Sequence, residues 1–575
     1  MRVFLVRIEE QTLTVTEPAP LVLSGVVRPP PRVEAGRSLA MVRAFTRRPV
    51  WHPPVPATVP PPPLRASART TLATVKGYVM FGASPFGAAP FGARRDRLSL
   101  AIGDVMLRYG TINYIDRDHR EFEDGLRAPS FSRTILTGGT VGGWANASLG
   151  DLELDNLEGE RSDLLRRVAV DGRPVEVLQP RPDGTTEVVF ECTARDIVPG
   201  DDDTVRIRLR DWDYLLDKPA QTATYPDDAP PEIANRRRPF GYGPCNNVTP
   251  TRIATTVPAY QFNDGPSRAL RAVYVAGVPQ LPADLASVDL ASSTFTLAAE
   301  PAGDVTCDFN GLVVNGVYLN TTALVIDDLA FRRGGLPATR KSVRHFERFA
   351  SDMPGEVQLY VSHGEEPTVL SLIQRLLAPC GWGAFSWRGQ LQVGVWKVAT
   401  GSPRCLLSKA EGTLISLQPA ELPTEVYPPP WRLRGGYDRN WTPQTASQLK
   451  GDDTPGAADP VGGPERRRWL ARGQEIAEAK DEVTRDRLHL GAQDPAAVET
   501  CLADKIGCET VLQASLAHWL GNRAHYRVVP DTPPFFFDIG DEVAIQWDGH
   551  GLEGGQIGVV AEVAEGEWTE LVIEV

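Results

Sequence analysis

The sequence lacks the features that mark disulfide scaffolds, membrane proteins and basic nucleic-acid-binding proteins. Its 575 residues include seven widely spaced cysteines, and an odd number without a CxxC pair indicates a reducing compartment. No apolar run approaches the ~20 residues of a membrane span. The short apolar run Val3–Val6 ends at Arg7, so we expect no signal peptide. The formal net charge is −13, so no general basic surface for nucleic acid is expected.

Motifs with a defined chemistry are also lacking. The sequence contains no HExxH, GxSxG or P-loop pattern. Cys380 follows a predicted helix, whereas an activated thiolate favours a helix N-terminus. His518 and His525, seven residues apart, would lie on one helix face and supply only two metal ligands. We therefore expect no enzyme activity, no cofactor and no metal site, although the paired carboxylates of a glycosidase are visible only in three dimensions.

Short strands separated by polar turns dominate what the sequence does contain. Over Thr204–Leu209 apolar residues alternate with arginines, which is the period of a half-buried strand. Together with the apolar runs at 174–178 and 187–193, this pattern predicts a three-stranded antiparallel meander. The chain also has 50 prolines and 52 glycines, so we expect many turns. The predicted fold class is mainly β with a few helices (β-rich α+β), with several β-barrel-like or sandwich domains.

Composition and turn signals divide the chain into six parts. The first 65 residues contain 13 prolines, which favour extended geometry. The predicted parts are a Pro-rich extended N-terminal arm over 1–95, a first β domain over 96–216, an inserted β domain over 217–345, a helix-plus-hairpin α+β domain over 346–435, a loop and helical segment over 436–525, and a C-terminal β unit over 526–575 that completes a barrel.

Three helices are predicted in the second half of the chain. A short amphipathic helix begins at Pro367 and is stopped by Gly381. A heavily charged helix is predicted over 465–490. Asp494 and Pro495 form an N-cap and first turn, which predicts a third helix that extends to about residue 522.

The end of the chain is predicted to be a strand. Leu571, Ile573 and Val575 alternate with polar or less apolar positions, as in a strand with one apolar face. Such a terminal strand is normally tied into a sheet. We therefore predict that 526–575 is one antiparallel unit whose last strand pairs internally and which packs on the preceding helix through Trp519.

A five-residue repeat places three phenylalanines on a Gly/Pro backbone. Phe81, Phe86 and Phe91 recur at equal spacing, as the anchors of an extended arm on a neighbouring subunit would. A surface loop that lies on its own domain explains the pattern equally well.

Three arginines form a second candidate contact. Arg206, Arg208 and Arg210 share one face of the predicted strand. They form either a solvated face or a row that binds an acidic partner.

Five stretches carry a resemblance to a known family. In chain order over residues 96–575 they are Arg208–Pro219, Pro239–Pro250, Ala269–Gln280, Gly435–Gln444 and Phe537–Val559. Together they resemble the tail-tip (baseplate) hub proteins of long-tailed bacteriophages and of gene transfer agents. The resemblance implies a structural virion protein without catalytic residues, built from β-barrel-like domains that form a trimeric ring around the tail channel. Longer relatives continue into receptor-binding modules, so receptor binding is expected to belong to a partner.

The resemblance also implies partners and a location. The expected assembly is a homotrimer that contacts the distal tail protein ring, the tape-measure protein and the tail fibre or receptor-binding proteins, with indirect contact to the host envelope. It would be assembled in the host cytoplasm and lie at the tail tip of the virion. There it would close the distal tail tube, dock fibres and form the channel for genome ejection. DNA would pass without sequence-specific binding, and an acidic chain suits a channel that must not grip phosphates.

Two other classes of function remain open on the residues alone. One is a tail-associated cell-wall hydrolase of the glycosidase type. The other is a soluble carbohydrate-binding multi-domain protein.

The phenylalanine repeat gives a direct test of the predicted anchors. Replacing Phe81, Phe86 and Phe91 together by Ala removes three rings whose burial is worth roughly 1.5–3 kcal/mol each. Limited proteolysis should then cut residues 81–93 faster than in the unaltered chain. A Ser84→Ala control should leave the digestion unchanged. Equal digestion of the triple variant and the unaltered chain would show that the rings are not anchors.

Overall fold

The computed structural model describes residues 5–16, 99–135 and 143–575, apart from 202, 379, 398, 400, 422–427, 452–457, 489 and 521–522. Phe81, Phe86 and Phe91 lie outside the described residues. No helix in this part of the chain is long and apolar enough to span a membrane.

Strands are numbered in chain order. They are β1 Leu5–Thr16, β2 Ser99–Gly110, β3 Tyr114–Ile115, β4 Glu121–Asp124, β5 Phe131–Thr134, β6 Gly143–Trp144, β7 Asn146–Leu149, β8 Leu152–Asp155, β9 Val168–Ala169, β10 Pro174–Pro180, β11 Thr186–Pro199, β12 Thr204–Arg210, β13 Phe240–Tyr242, β14 Pro244–Val248, β15 Thr251–Arg252, β16 Ala259–Gln261, β17 Ser267–Val275, β18 Val278–Pro279, β19 Leu285–Asp289, β20 Thr294–Leu297, β21 Val305–Val314, β22 Val317–Tyr318, β23 Leu359–Val361, β24 Gly381–Phe385, β25 Leu391–Val395, β26 Leu406–Ser408, β27 Leu414–Ala420, β28 Arg432–Tyr437, β29 Glu475–Lys480, β30 Val498–Glu499, β31 His525–Pro530, β32 Glu542–Gln546, β33 Gln556–Glu565 and β34 Thr569–Glu574.

Helices are fewer and mostly short. The α-helices are α1 Leu164–Arg167, α2 Thr322–Asp327, α3 Val343–Asp352, α4 Val369–Leu377, α5 Pro464–Leu470 and α6 Lys505–Leu520. Single turns of 3-10 helix lie at Leu157–Gly159, Trp212–Leu216, Pro282–Asp284, Ala338–Arg340 and Ala446–Gln448, and turns of π-helix at Asp328–Arg333 and Thr484–Leu488.

A nine-stranded sheet contains the predicted meander. Strands β10, β11 and β12 pair antiparallel with their neighbours in the chain, as the alternation of apolar residues predicted. Strand β1 lies between β2 and β10, and its pairing with β2 runs from Leu5 opposite Gly110 to Thr16 opposite Ser99. Residues 5–16 therefore belong to the first sheet and not to an extended arm. This long-range pairing with β10 has no local sequence signal.

A second large sheet contains the end of the chain. Its strand order is β26-β32-β33-β34-β31-β27, and β5 joins it by pairing with β33. Strand β34 lies between β33 and β31, which confirms that the last strand pairs internally. Trp519 of α6 shares an apolar cluster with Val559 and Ala561 of β33, which confirms the predicted packing.

The two large sheets share one apolar core. Phe190 of β11 lies 4.5 Å from Phe131 of β5, measured between ring centroids, and stacks on Phe535 at 5.6 Å. Trp387 contacts the same Phe535 ring at 5.3 Å. The first and last parts of the chain therefore form one packed unit, from which the intervening residues emerge as insertions.

The first insertion has its own small core. A five-stranded sheet (β14, β17, β18, β21 and β22) packs with a four-stranded sheet (β15, β16, β19 and β20). Phe262 lies 5.0 Å from Phe309 and 6.2 Å from Phe295 in this core. All three rings are at most 1% exposed.

A second, larger core is formed by helices. Helix α4 confirms the predicted helix near 367–380, because Val369, Leu372 and Leu376 are buried on one face. Thr368 is its N-cap and accepts a hydrogen bond from Ser371 N. The hairpin β24–β25 follows directly and covers this core.

The predicted helix over 465–490 is wrong. The segment forms α5, then strand β29, then a π-helical turn. Ala477 and Ala479 of β29 are buried beneath α6, whereas Ile476 is exposed. Alternating burial and pairing with β28 therefore override the helical propensity of the sequence. The next predicted helix begins only at Lys505, because β30 precedes it.

The predicted fold class is confirmed. The chain is mainly β with a few helices and several separate sheets. No sheet among the described residues closes into a barrel.

Strand β34 provides a test of the shared core. Deleting residues 571–575 removes Leu571 and Ile573, both 0% exposed, and leaves β31 and β33 without their common neighbour. Loss of a buried Leu or Ile side chain costs about 2–5 kcal/mol, so the truncated chain should aggregate or unfold. A Trp568→Ser control at the hairpin tip, where the indole is 58% exposed, should stay folded. A truncated chain with unchanged urea unfolding would contradict the role of this strand.

Candidate functional site

Strand β12 carries the predicted arginines on its half-exposed face, where they meet carboxylates of neighbouring segments. Arg206 Nε donates to Glu153 Oε1 at 2.8 Å, and its Nη2 donates to Asp201 at 3.1 Å. Arg208 donates two hydrogen bonds to Asp196, at 2.6 and 2.5 Å. These hydrogen bonds lower the pKa of Asp196.

The third arginine is paired in the same way. Arg210 Nη2 donates to Asp171 at 2.6 Å, and the guanidinium carbon lies 3.7 Å from the ring centroid of Tyr214. All three arginines are thus compensated within the chain. The pairing favours a solvated face of ion pairs over a row reserved for an acidic partner.

A fourth arginine, which the sequence analysis missed, lies inside the core shared by the two large sheets. Arg133 is 2% exposed and lies on the same face of β5 as buried Phe131. Its Nη2 donates to Asp211 Oδ2 at 3.0 Å, and its guanidinium carbon lies 4.4 Å from the ring centroid of Trp387. The sequence does contain a signal for this burial. Arg133 follows Phe131 by two residues, and residues two apart in a strand lie on the same face.

The Arg133 pair is incompletely satisfied. Nε and Nη1 of Arg133 have no hydrogen-bond partner within the described residues. Burial raises the pKa of Asp211, although the adjacent guanidinium opposes this. Each partner therefore depends on the other, because an unpaired buried charge is strongly unfavourable.

A further carboxyl group, that of Asp538, lies near Arg133, and a second, that of Asp541, contacts Asp538. Burial raises the pKa of Asp538 to about 6, although Arg133 opposes this rise. Asp538 Oδ1 accepts from Trp387 N at 3.2 Å, and Asp538 N donates to Asp541 Oδ2 at 3.0 Å. Arg404 donates to the same Asp541 oxygen at 2.6 Å. A carboxyl with a raised pKa beside a second carboxyl can serve as a general acid, but this second carboxyl is paired.

A buried amide network joins the first insertion to the segment that follows strand β28. Asn247 Nδ2 donates to Asn440 Oδ1 at 2.8 Å and to the carbonyl of Thr442 at 2.6 Å. Beside it, Asn246 Nδ2 donates to Asp438 Oδ1 at 2.6 Å. Asn247 and Asn440 are 0% and 2% exposed. Asn247 and Asn440, which are almost 200 positions apart, are therefore held together by buried amide hydrogen bonds that water cannot easily replace.

A tyrosine and two charged groups form another buried junction. Tyr242 OH donates to Asp328 Oδ2 at 2.5 Å and accepts from Arg333 Nε at 2.8 Å. The guanidinium carbon of Arg333 also lies 3.9 Å from the ring centroid of Phe240. This junction ties the start of the first insertion to the π-helical turn at 328–333.

An exposed apolar surface follows strand β29. Val483, Leu488 and Leu490 are 52%, 61% and 87% exposed. Trp431 lies nearby, with the Arg485 guanidinium carbon 4.6 Å from its ring centroid, and its carbonyl accepts from the Asp481 amide. Grouped exposed apolar side chains are typical of protein contact surfaces.

The described residues offer little nucleophilic or metal-binding chemistry. All seven cysteines are free, and six are buried. Burial raises the pKa of Cys380 to about 11, so its thiol is not activated. No group of three or more His, Cys, Asp and Glu among the described residues could hold a metal ion.

Comparison with known proteins gives loose structural similarities. No protein-family model and no curated protein matches the chain. One similar solved structure is the 43 kDa tail protein of prophage MuSo2 from Shewanella oneidensis, with 11% identity, a TM-score of 0.35, and coverage of 80% of this chain and 94% of that chain. The tail protein from Neisseria meningitidis MC58 has 11% identity, a TM-score of 0.36 and the same coverages.

A gene transfer agent is also among the similar structures. A chain of the virion of a native gene transfer agent particle has 12% identity and a TM-score of 0.38, with coverage of 63% of this chain and 91% of that chain. At these identities and TM-scores, the similarities carry no argument about function.

The Arg133–Asp211 pair can be tested against a surface pair. Arg133→Leu leaves Asp211 buried without its partner and should lower the free energy of unfolding by about 3–5 kcal/mol. Arg208→Leu removes an exposed pair and should lower it by at most about 1 kcal/mol. Urea unfolding measures both variants. Similar losses for the two would refute the proposed importance of the buried pair.

Proposed function

We propose that this chain is a structural protein of a bacteriophage-type tail and forms the hub at the tail tip. The hub closes the distal tube, docks fibres and lines the channel for genome ejection. The chain acts without catalysis and without a cofactor. It lies in the virion after assembly in the host cytoplasm.

The observation that carries the proposal is the position of the stretches that resemble hub proteins. Asp211 and Asp538 belong to the first and last of these stretches, and both lie beside the buried guanidinium of Arg133. These three residues are called the Arg133 centre. Asn247 and Asn440 belong to the second and fourth, and they meet in the buried amide network. The stretches that resemble hub proteins thus supply polar contacts that fix separate parts of the chain against one another.

Such contacts suit a mechanical role. A buried amide or guanidinium is stable only in the arrangement that satisfies it, because a displaced partner leaves an unpaired polar group. Each junction therefore favours one relative placement of the sheets. A tail tip must keep its shape while fibres and the tube load it, and buried polar contacts in addition to apolar packing suit this requirement.

The assembly proposed is a homotrimer that contacts the distal tail ring, the tape-measure protein and the fibres. The apolar surface formed by Val483, Leu488 and Leu490 supports contacts with other chains. Receptor binding is left to a partner, so contact with the host envelope is indirect. DNA passes the channel without sequence-specific binding.

One observation favours a second candidate, a tail-associated cell-wall hydrolase. Asp538, whose pKa burial raises to about 6, has the protonation behaviour of a general acid near neutral pH. Zymography on peptidoglycan with the unaltered chain and an Asp538→Asn variant separates the two candidates. Clearing by the unaltered chain alone would establish the hydrolase.

The proposed trimer predicts a mass and a sensitive surface. Sedimentation velocity of the purified chain should give a species of three times 62.7 kDa. Leu488→Lys with Leu490→Lys places charges on the exposed apolar surface and should shift the protein to monomer or weaken binding of a co-expressed tail ring protein at least tenfold. Val343→Lys, at a side chain 57% exposed on α3, is the matched control. A monomer that binds no tail protein would contradict the proposal.

A further inference from the structure

Two histidines and a glutamate form a closed cluster that the proposed function does not use. Glu574 of β34 is 3% exposed, and its Oε1 lies 2.7 Å from Nε2 of His518 on α6. Its Oε2 lies 3.2 Å from Nε2 of His525 on β31. The imidazoles are 1% and 2% exposed. One carboxylate therefore connects a helix and two strands.

The cluster fixes the position of helix α6 between two sheets. On one side, Trp519 packs on β33 of the second large sheet, which contains the end of the chain and is called the C-terminal sheet. On the other side, Cys508 and Leu512 pack in the same core as Ala477 and Ala479 of β29. Any change at Glu574 therefore acts on the contact between the C-terminal sheet and the β28–β30 sheet.

The hydrogen-bonding capacity of the cluster sets how many protons it can hold. Burial alone would raise the pKa of Glu574, but the adjacent His518 and His525 side chains lower it to about 2, so the carboxylate is ionised at ordinary pH. His525 Nε2 is placed for a hydrogen bond to this carboxylate, whereas His518 Nε2 approaches it at 2.7 Å without the alignment of a hydrogen bond. Nδ1 of each ring is buried, with no partner in the described part of the chain.

The buried cluster can balance the charge of one added proton, but it cannot balance the charge of a second. The first balances the negative charge of Glu574, whereas the second leaves a net positive charge and two buried N–H groups without acceptors. Such groups are unfavourable in a dry interior.

The surroundings of the cluster are mostly apolar or neutral. Trp396 and Trp519 contact the His518 ring at 6.0 and 4.8 Å between centroids, and β33 presents apolar Val559 and Ala561. On α6, Ser515 is neutral, and the Cys380 thiol that faces it has a pKa of about 11.

Two charged groups lie beyond these side chains. Glu542 lies two strands from Glu574, across Val559, and is already paired, because its Oε1 accepts from Arg348 Nη2 at 2.6 Å. Arg523 Nε donates to the His518 carbonyl at 2.8 Å, and its positive charge also opposes a second proton.

We propose that His518, Glu574 and His525 form an acid-sensitive latch that holds helix α6 on the C-terminal sheet and releases it when the medium becomes acidic. In the released state both imidazoles reach water, where a proton on each ring nitrogen has water as its hydrogen-bond acceptor. The latched state holds at most one. The released state thus binds about one more proton, and the sign of this difference means that acid favours release. The inference stands independently of the proposed tail function.

The test is the free energy of unfolding, measured with urea at several pH values between 7.5 and 5.0, because its pH dependence reports the difference in bound protons between the two states. Because Gln can present an N–H at the position of Nε2 and does not titrate, His518→Gln with His525→Gln keeps the contacts and removes the switch. From pH 6.5 to 5.0 the folded-to-unfolded ratio of the unaltered chain should fall about tenfold more than that of the double variant. His119→Gln, at an exposed turn, is the control and should follow the unaltered chain. Equal pH dependence of the unaltered chain and the double variant would overturn the latch.

A second measurement covers the case in which the double variant does not fold. Amide hydrogen exchange of the unaltered chain, corrected for the intrinsic effect of pH, should show that helix α6 loses protection between pH 7 and 5 while strand β21 keeps it. Equal protection of α6 at both pH values would also overturn the latch.

Discussion

The buried guanidinium of Arg133 is the constraint on which the shared core depends. It lies near the rings of Phe190 in β11 and Trp387 in the β24–β25 turn, and it has Asp211 as its charged partner. A buried charge tolerates few arrangements, because its desolvation is offset only when the opposite charge is in place. The segment after β12, strand β5 and the turn at Asp538 must therefore meet at one point, and this joins the first and last parts of the chain.

The other buried polar contacts fix the insertions in the same way that Arg133 fixes the shared core. The amide pair Asn247–Asn440 fixes the first insertion against the segment after β28, and Tyr242 with Asp328 fixes its start against the helical core. Apolar packing alone tolerates sliding and exchange of similar side chains, whereas these groups lose hydrogen bonds when displaced. The result is a β-rich chain in which insertions are held at set positions, as a structural role in a larger assembly requires.

The spacing of apolar residues in the sequence predicted those strands and helices that have one apolar face. Strict alternation over 204–209 and the apolar face of 369–377 identified β12 and α4, and the period of the last residues identified β34. The segment 475–480 has a helical composition but forms a strand, because its alanines fit beneath α6. The spacing of Arg133 from Phe131 could have indicated a buried arginine, but its partner Asp211 and the partner of Arg208, Asp196, come from other segments, so only the three-dimensional structure could identify these pairs.

We propose that this chain is the hub of a tail tip, and the position of the chain in a particle tests this proposal. The measurement is cryo-electron microscopy of tail-bearing particles produced by the genome that encodes the chain. We expect a threefold density at the distal end of the tail that fits the two large sheets joined at Arg133. Density for this chain elsewhere in the particle, or particles that lack the chain, would show that it is not the hub.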